Sequence, residues 1–325
     1  MNLLEQQASN RRKTWLIMIV FISLLLFLGF GFDALYLGAG GGFVPIGSLM
    51  ALGVGSASAF AGYYRGDRAV LLATSARPLA DVEASADEAG KLKLRQLQNV
   101  VDEMAIAAGL PRPDVYVVPD EDPNAFATGR GPGHASIAVT RGLIDTLDRE
   151  ELQGVVAHEM SHIRNLDVRL MTIVAALVGA VALLADWARR GMLWGGGPRR
   201  RDRERGGAAG VVLFAVWIVA ILLAPLMGQM LAMMVSRRRE YLADATGAEL
   251  TRNPLGLARA LEKIEDAAAP TRAINRGSAH LCIADPLGRQ MNLRTGFWSD
   301  LFATHPPMAA RIAALKAMAY QGVQP

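Results

Sequence analysis

The chain reads as a mainly helical α+β protein: a small β-sheet beside helices, attached to about four membrane-associated helices. Three observations predict this class. Four stretches run long without a charge, three short strand-like segments sit together between positions 114 and 140, and apolar residues elsewhere recur at helical spacing. Composition agrees. At 52% hydrophobic and 20% charged, with a mean hydropathy of +0.24, the chain is too apolar for an ordinary soluble domain, and the excess lies in blocks.

Residues 1–64 form the first unit. Arg11, Arg12 and Lys13 precede Trp15–Phe32, 18 residues without a charge. A signal peptide also begins this way, but the run is long and no clear cleavage site follows, so a transmembrane helix is expected. Gly38–Tyr64 is again uncharged, glycine-rich and interrupted by Pro45, which predicts a less regular helix. Together they read as a transmembrane hairpin. Its loop carries no Lys or Arg, whereas Arg11, Arg12, Lys13, Arg65 and Arg68 lie outside it. The positive-inside rule then puts both ends in the cytoplasm.

A linker is expected from Tyr63 to about Ala86, leading into the unit formed by residues 65–169. From Asp87 to Ala108, Leu94, Leu97, Val101, Met104 and Ala108 recur at three- and four-residue steps, which predicts a helix stopped by Gly109 and Pro111. DVYVV (114–118), NAFATG (124–129) and ASIAVT (135–140) read as strands, the last two joined by the turn GRGPGH. Asp148 with Glu151 is a capping-box pattern, and Leu152, Val155, Val156, Ile163 and Leu166 give the following helix an apolar stripe.

Residues 170–235 read as a second membrane-associated hairpin. Leu170–Ala185 is an apolar run of 16 residues, and Gly206–Ser236 one of 31, broken by Pro225 and Gln229. Seven arginines lie between them. Residues 236–325 form a soluble, mostly helical remainder. The net charge of +4 is modest, and the arginines cluster beside apolar blocks, as membrane flanks do; nothing in the pattern argues for nucleic acid. The single cysteine, Cys282, excludes an intrachain disulfide and a multi-cysteine zinc site, and reads as a small buried apolar residue.

Residues 158–162 read HEMSH, well inside the helix that starts at Asp148. On a helix, positions i and i+4 stack on one face, about 5–6 Å apart at Cβ, so His158 and His162 can point at one ion. Glu159 beside them can reach a water on that ion. The bland alternative is two unrelated histidines on one helix face. A catalytic zinc needs a third protein ligand and an open position. His134, His280, His305 and a carboxylate are candidates. Glu240 and Asp244 lie four apart in SRRREYLAD (236–244). One can ligate while the other accepts a ring N–H from a ligand histidine. The same spacing also suits a solvated face, with Glu240 near Arg237.

HEMSHIRNLD, SRRREYLADATGAEL and LFATHPPMAARIAAL resemble three signatures of the HtpX family of membrane zinc metalloproteases, relatives of the CAAX prenyl endopeptidases. AGLPRPDVYV and PNAFATG are similar to the family's sheet ahead of the catalytic helix. The resemblance runs from the first apolar run to about Leu315. It implies one zinc per chain, with His158, His162 and Glu240 as ligands, Glu159 as catalytic base, and Asp244 orienting a ligand histidine. It also places Asn124, Ala125 and Phe126 on a strand edging the cleft, where an extended substrate can pair; a turn residue followed by a core aromatic reads equally well. His305 and Arg311 would approach the active site, where either can stabilise an oxyanion; Thr304–Pro307 also reads as a plain helix start. The implied activity is endopeptidase cleavage of misfolded or damaged membrane proteins, at a cell inner membrane crossed several times, with the catalytic domain in the cytoplasm.

If Glu240 meets the two histidines, the chain crosses the membrane an even number of times between them. The short run from Asp167 to Leu170 also keeps the site close to the bilayer. Two crossings would put the seven-arginine loop outside the cytoplasm, against the positive-inside rule. Sixteen residues also give only about 24 Å of helix for a hydrocarbon core of about 30 Å. The family resemblance favours spanning. Three rivals stand beside the protease reading: a zinc-stabilised scaffold without activity, a processing protease with a narrow substrate, and a site-two-type intramembrane protease. The last needs an aspartate in a distal LDG-like motif, which this sequence lacks.

Overall fold

Two long helices pack antiparallel at the N-terminus and stand against a small sheet and the helices packed on it. The structure, a computed structural model, describes residues 3–33, 45–177, 237–267, 273–274, 281–284 and 306–321. The seven-arginine loop, the fourth apolar run and the third run beyond residue 177 lie outside the described residues, as do His280 and His305.

Helices α1 (Leu3–Phe32) and α2 (Ile46–Ala73) form the expected hairpin. Both are long and apolar enough to cross a membrane: the most apolar 18-residue windows within Gln7–Gly31 and Ile46–Ala73 have mean hydropathies of 2.4 and 1.3. Asp33, at the end of α1, accepts hydrogen bonds from the backbone N–H groups of Gly47 and Ser48, so α1 caps the start of α2. The linker expected after Tyr64 is instead the end of α2, a two-residue strand β1 (Arg77–Pro78) and helix α3 (Leu79–Ser85). The reason is packing: Val70 and Leu71 bury themselves against Phe126, Ala138 and Met171, which carries the helix past its charged stretch.

Helix α4 (Glu88–Ala108) has its predicted bounds. Asp87 caps it by accepting from Gly90 N–H, and Gly109 ends it in the left-handed region at φ 65°. Strands β2 (Asp114–Val118), β3 (Ala125–Gly131) and β4 (His134–Thr140) join β1 in a sheet of order β1-β2-β4-β3. β3 and β4 are the predicted hairpin; β2 runs parallel to β4, with Val115 opposite Ile137. Short α5 (Arg141–Thr146) leads to α6 (Arg149–Arg164), where Asp148 and Glu151 close the capping box in both directions.

The single apolar stripe read on α6 understates its burial. Leu152 to Ile163 is buried almost all round, because α4, β3, α8 (Arg237–Thr251) and α9 (Pro254–Asp266) surround it. Fully burying each of Leu94, Leu97 or Leu257 in this core contributes about 1.5–3 kcal/mol. Helix α10 (Met308–Gln321) packs on α9. A further helix, α7 (residues 167–177), starts the third apolar run; Leu170, Ile173, Val174 and Leu177 pack on Ile17, Phe21 and Ala59 of the hairpin. The Thr172 hydroxyl on α7 accepts from Gly129 N–H at 3.0 Å, which ties this helix to β3.

Candidate metal centre

Helix α6 carries His158, Glu159 and His162; α8 carries Glu240 and Asp244. The two helices approach closely at Gly247, where an added Cβ would lie 3.1 Å from the His158 backbone nitrogen. This brings Glu240 over the two imidazoles. The Nε2 atoms of His158 and His162 are 3.2 Å apart, and the Glu240 carboxylate oxygens lie 3.7 Å from each. His158, His162 and Glu240 are all buried, and one ligand atom from each falls within 4.8 Å of the others. Ligands about 2.0–2.2 Å from one tetrahedral ion stand roughly 3.3–3.6 Å apart, so the triangle has the size zinc requires.

The opposite ring nitrogens face carboxylates. His158 Nδ1 lies 2.9 Å from Asp244 Oδ1, and His162 Nδ1 lies 3.3 Å from Asp167 Oδ2. That arrangement leaves both Nε2 atoms for a metal. Asp167 reaches back because Leu166 adopts a left-handed φ of 59° between α6 and α7, a strained turn for a leucine. Arg239 NH1 is 3.3 Å from Asp167 Oδ1. Arg311 grips Asp244 with two donors, Nε to Oδ2 at 2.8 Å and NH2 to Oδ1 at 2.7 Å, and gives its third to the Ile283 carbonyl at 2.7 Å.

Charge accounting favours a cation. Four buried carboxylates (Glu159, Asp167, Glu240 and Asp244) face two buried guanidiniums (Arg239 and Arg311), leaving two negative charges. Neither Glu159 oxygen has a hydrogen-bond partner among the described residues, although the side chain is 1% exposed. A divalent ion and its water supply what these groups lack, so the residues fit a zinc site. Without a metal, the same excess of carboxylates raises the proton affinity of His162. Burial pushes the Glu159 carboxyl up, partly offset by the His158 and His162 imidazoles. Burial opposes an imidazolium at His162, yet the Asp167 hydrogen bond and the Glu240 charge raise it to about 9. Burial would raise Asp244 as well, but Arg311 brings it down to about 2.

The other candidates separate from the site or stand beside it. His134 is exposed at the start of β4. Asn124 and Phe126 are buried at the edge of the sheet, where Cys282 already pairs: Phe126 and Cys282 form an antiparallel bridge, Ile283 N–H donates to Ala125 O at 2.9 Å, and Asn124 Nδ2 donates to Ala284 O at 3.1 Å. Cys282 is buried, as expected of a small apolar residue. Sequence reading missed Asp167 and Arg239. Asp167 had a signal, a carboxylate five positions past His162; Arg239 had none that separated it from its arginine neighbours.

A buried His-His-Glu cluster on two crossed helices, with a free carboxylate beside it, defines a metallopeptidase-type centre. Residues 91–319 match Peptidase family M48, and the chain belongs to that family. It is 42% identical to a protein named Protease HtpX homolog from Caldanaerobacter subterraneus subsp. tengcongensis over 317 residues, covering 97% of this chain and 98% of the relative. A relative of the same name from Lactiplantibacillus plantarum is 43% identical over 321 residues, covering 97% and 100%. Among solved structures, Ste24p from S. mikatae is similar over 96% of this chain and 67% of that one, with 17% identity and a TM-score of 0.47.

Proposed function

We propose that the chain is a zinc endopeptidase of the cell inner membrane that hydrolyses misfolded or damaged membrane proteins. The observation that carries the reading is the ligand-sized triangle of His158, His162 and Glu240 with the Glu159 carboxylate unpartnered beside it. Zinc, when bound, polarises the scissile carbonyl and acidifies a coordinated water. Glu159 takes the proton from the attacking water and passes it to the leaving amine, a role suited to a carboxyl whose pKa burial has raised. Asp244 and Asp167 hold the two imidazoles with Nε2 inward. Arg311 acts through Asp244, to which it donates two hydrogen bonds while a third goes to the Ile283 carbonyl; its NH1 also lies 3.6 Å from Glu240 Oε2. Of the two groups the resemblance offers for the developing oxyanion, Arg311 is engaged by Asp244, which leaves His305 for that role.

The substrate strand pairs with β3 at Asn124–Phe126, taking the place of the Cys282–Ile283 segment. The catalytic side faces the cytoplasm. Arg11, Arg12 and Lys13 on α1 and Arg65 and Arg68 on α2 share one end of the hairpin, and Trp15 stacks on Tyr63 there at 6.3 Å. The metal site lies at this end, because Asn10 of α1 touches Asp167. A chain so placed meets substrates at the bilayer surface.

Zinc content and casein cleavage of detergent-purified protein, compared with Glu159→Gln, test the proposal. One zinc in both proteins with cleavage only in the wild type supports it. Zinc in both and cleavage in neither returns the scaffold reading or a narrow-specificity processing protease. Loss of zinc in Glu159→Gln removes Glu159 from the role of base.

A further inference from the structure

The N-terminal helix does more than anchor the chain. Asn10 lies on α1, 2% exposed, and its side-chain amide nitrogen makes two hydrogen bonds. Nδ2 donates to Asp167 Oδ1 at 2.7 Å and to the Asn165 carbonyl at 3.0 Å. Asn165 is the C-cap of α6, the helix that carries the two histidines. Three residues earlier, Gln7 Nε2 donates to the Arg164 carbonyl at 2.8 Å, so α1 supplies donors to two carbonyls at the end of α6. Only Asn10 adds a contact to the carboxylate that faces His162.

We propose that Asn10 is a positioning residue for the metal ligand His162, acting through Asp167; this rests on the zinc reading above. The Asp167 carboxylate has its oxygens committed in different directions: Oδ2 stands 3.3 Å from His162 Nδ1, while Oδ1 receives Asn10 and Arg239. Arg239 meets Oδ1 at 3.3 Å, so the Asn10 bond, at 2.7 Å, is the tighter of the two. Because Asn10 is also pinned to the α6 end, it fixes Oδ1 relative to the helix that bears His162. A rotation of the carboxylate that releases the ring also strains the Asn10 bond, so that bond opposes it. Partners of this kind set the tautomer and orientation of a ligand imidazole, and losing one typically lowers metal affinity about 10–100-fold. The consequence is a metal site tuned by a membrane helix more than 140 residues away in sequence.

The test is a double-mutant cycle on zinc affinity, read by competition with a chromophoric chelator on the full chain in detergent. Asn10→Leu removes both donors at similar volume; Gln7→Leu removes an α6 contact without touching Asp167. We expect Asn10→Leu to weaken zinc about tenfold and Gln7→Leu to leave it within about twofold of wild type. In an Asp167→Asn background the cost of Asn10→Leu should shrink to near nothing, and the cobalt-substituted spectra of the two proteins should coincide. An unchanged affinity in Asn10→Leu, or an equal cost in both backgrounds, overturns the proposal. If Asn10→Leu does not fold, Asn10→Ser is carried through the same cycle with the same criteria. Failure of the zinc reading itself is distinguishable: wild type would then bind no zinc, or bind it as well without Glu240.

Discussion

Arg311 and Asp244 form a buried two-point ion pair beside the metal ligands, with neither side chain more than 2% exposed. Asp244 in turn stands 2.9 Å from His158. The pair therefore supports the site from behind, on the side of the imidazole that faces away from the metal.

Removing one partner leaves a buried charge alone. Arg311→Ala should cost about 3–5 kcal/mol of stability and lower zinc affinity. Arg311→Lys keeps the charge but cannot reproduce the fork geometry, so it should fall between the two. Thermal melts of zinc-free and zinc-loaded protein check both variants. A melt for Arg311→Ala within a degree of wild type would remove the pair from any supporting role.

The same pair gives a pH dependence with a definite sign. Asp244 is held at about 2 against an ordinary 3.8. A depressed folded-state pKa contributes stability that is present above the unfolded value and lost as pH falls through the folded one. The window is therefore pH 3.8 down to about 2, and the loss there is about 2 kcal/mol. Denaturant titrations of zinc-free wild type and Asp244→Asn across that window measure it. The variant should show a slope shallower by that amount; parallel slopes would contradict it.

Glu240 stands apart from the surrounding carboxylates because its oxygens face both Nε2 atoms at 3.7 Å. Glu240→Ala should weaken zinc more than about a hundredfold, beyond the range of an outer partner. Asp167→Asn should remain within that range. Chelator competition ranks them, and an equal effect of the two would deny Glu240 the third ligand position.

Much of this was legible from local chemistry. The capping box at Asp148–Glu151, the Gly109 stop and the β3–β4 turn each rest on contacts within a few residues, and the structure has them. The i, i+4 histidines are legible for the same reason. The third ligand was not fixed by spacing, since Glu240 meets His158 across 82 positions only after α8 packs on α6. Asn10 was hidden more deeply. Nothing local separates an asparagine in a basic membrane flank from a solvated one; its role comes from where α1 lands on the end of α6. The continuation of α2 past Tyr64 was missed because Arg65, Asp67 and Arg68 read as a boundary, while Val70 and Leu71 one turn on are what the sheet buries.

The edge of β3 offers a final prediction. Phe126 and Cys282 are directly opposed across an antiparallel bridge, which brings their Cα atoms to about 4.5–5.5 Å, within disulfide range. Cys282 is the chain's single cysteine, so Phe126→Cys creates one possible intrachain bond. Loss of the Phe126 ring from the core costs about 3–5 kcal/mol, so the reduced variant is the reference. Oxidation would staple residues 281–284 onto the strand where substrate is proposed to pair. If substrate displaces that segment, the oxidised variant should lose casein cleavage while keeping its zinc, and reductant should restore the rate of the reduced form. Equal rates in the two redox states would mean that substrate binds without using the Ala125 edge.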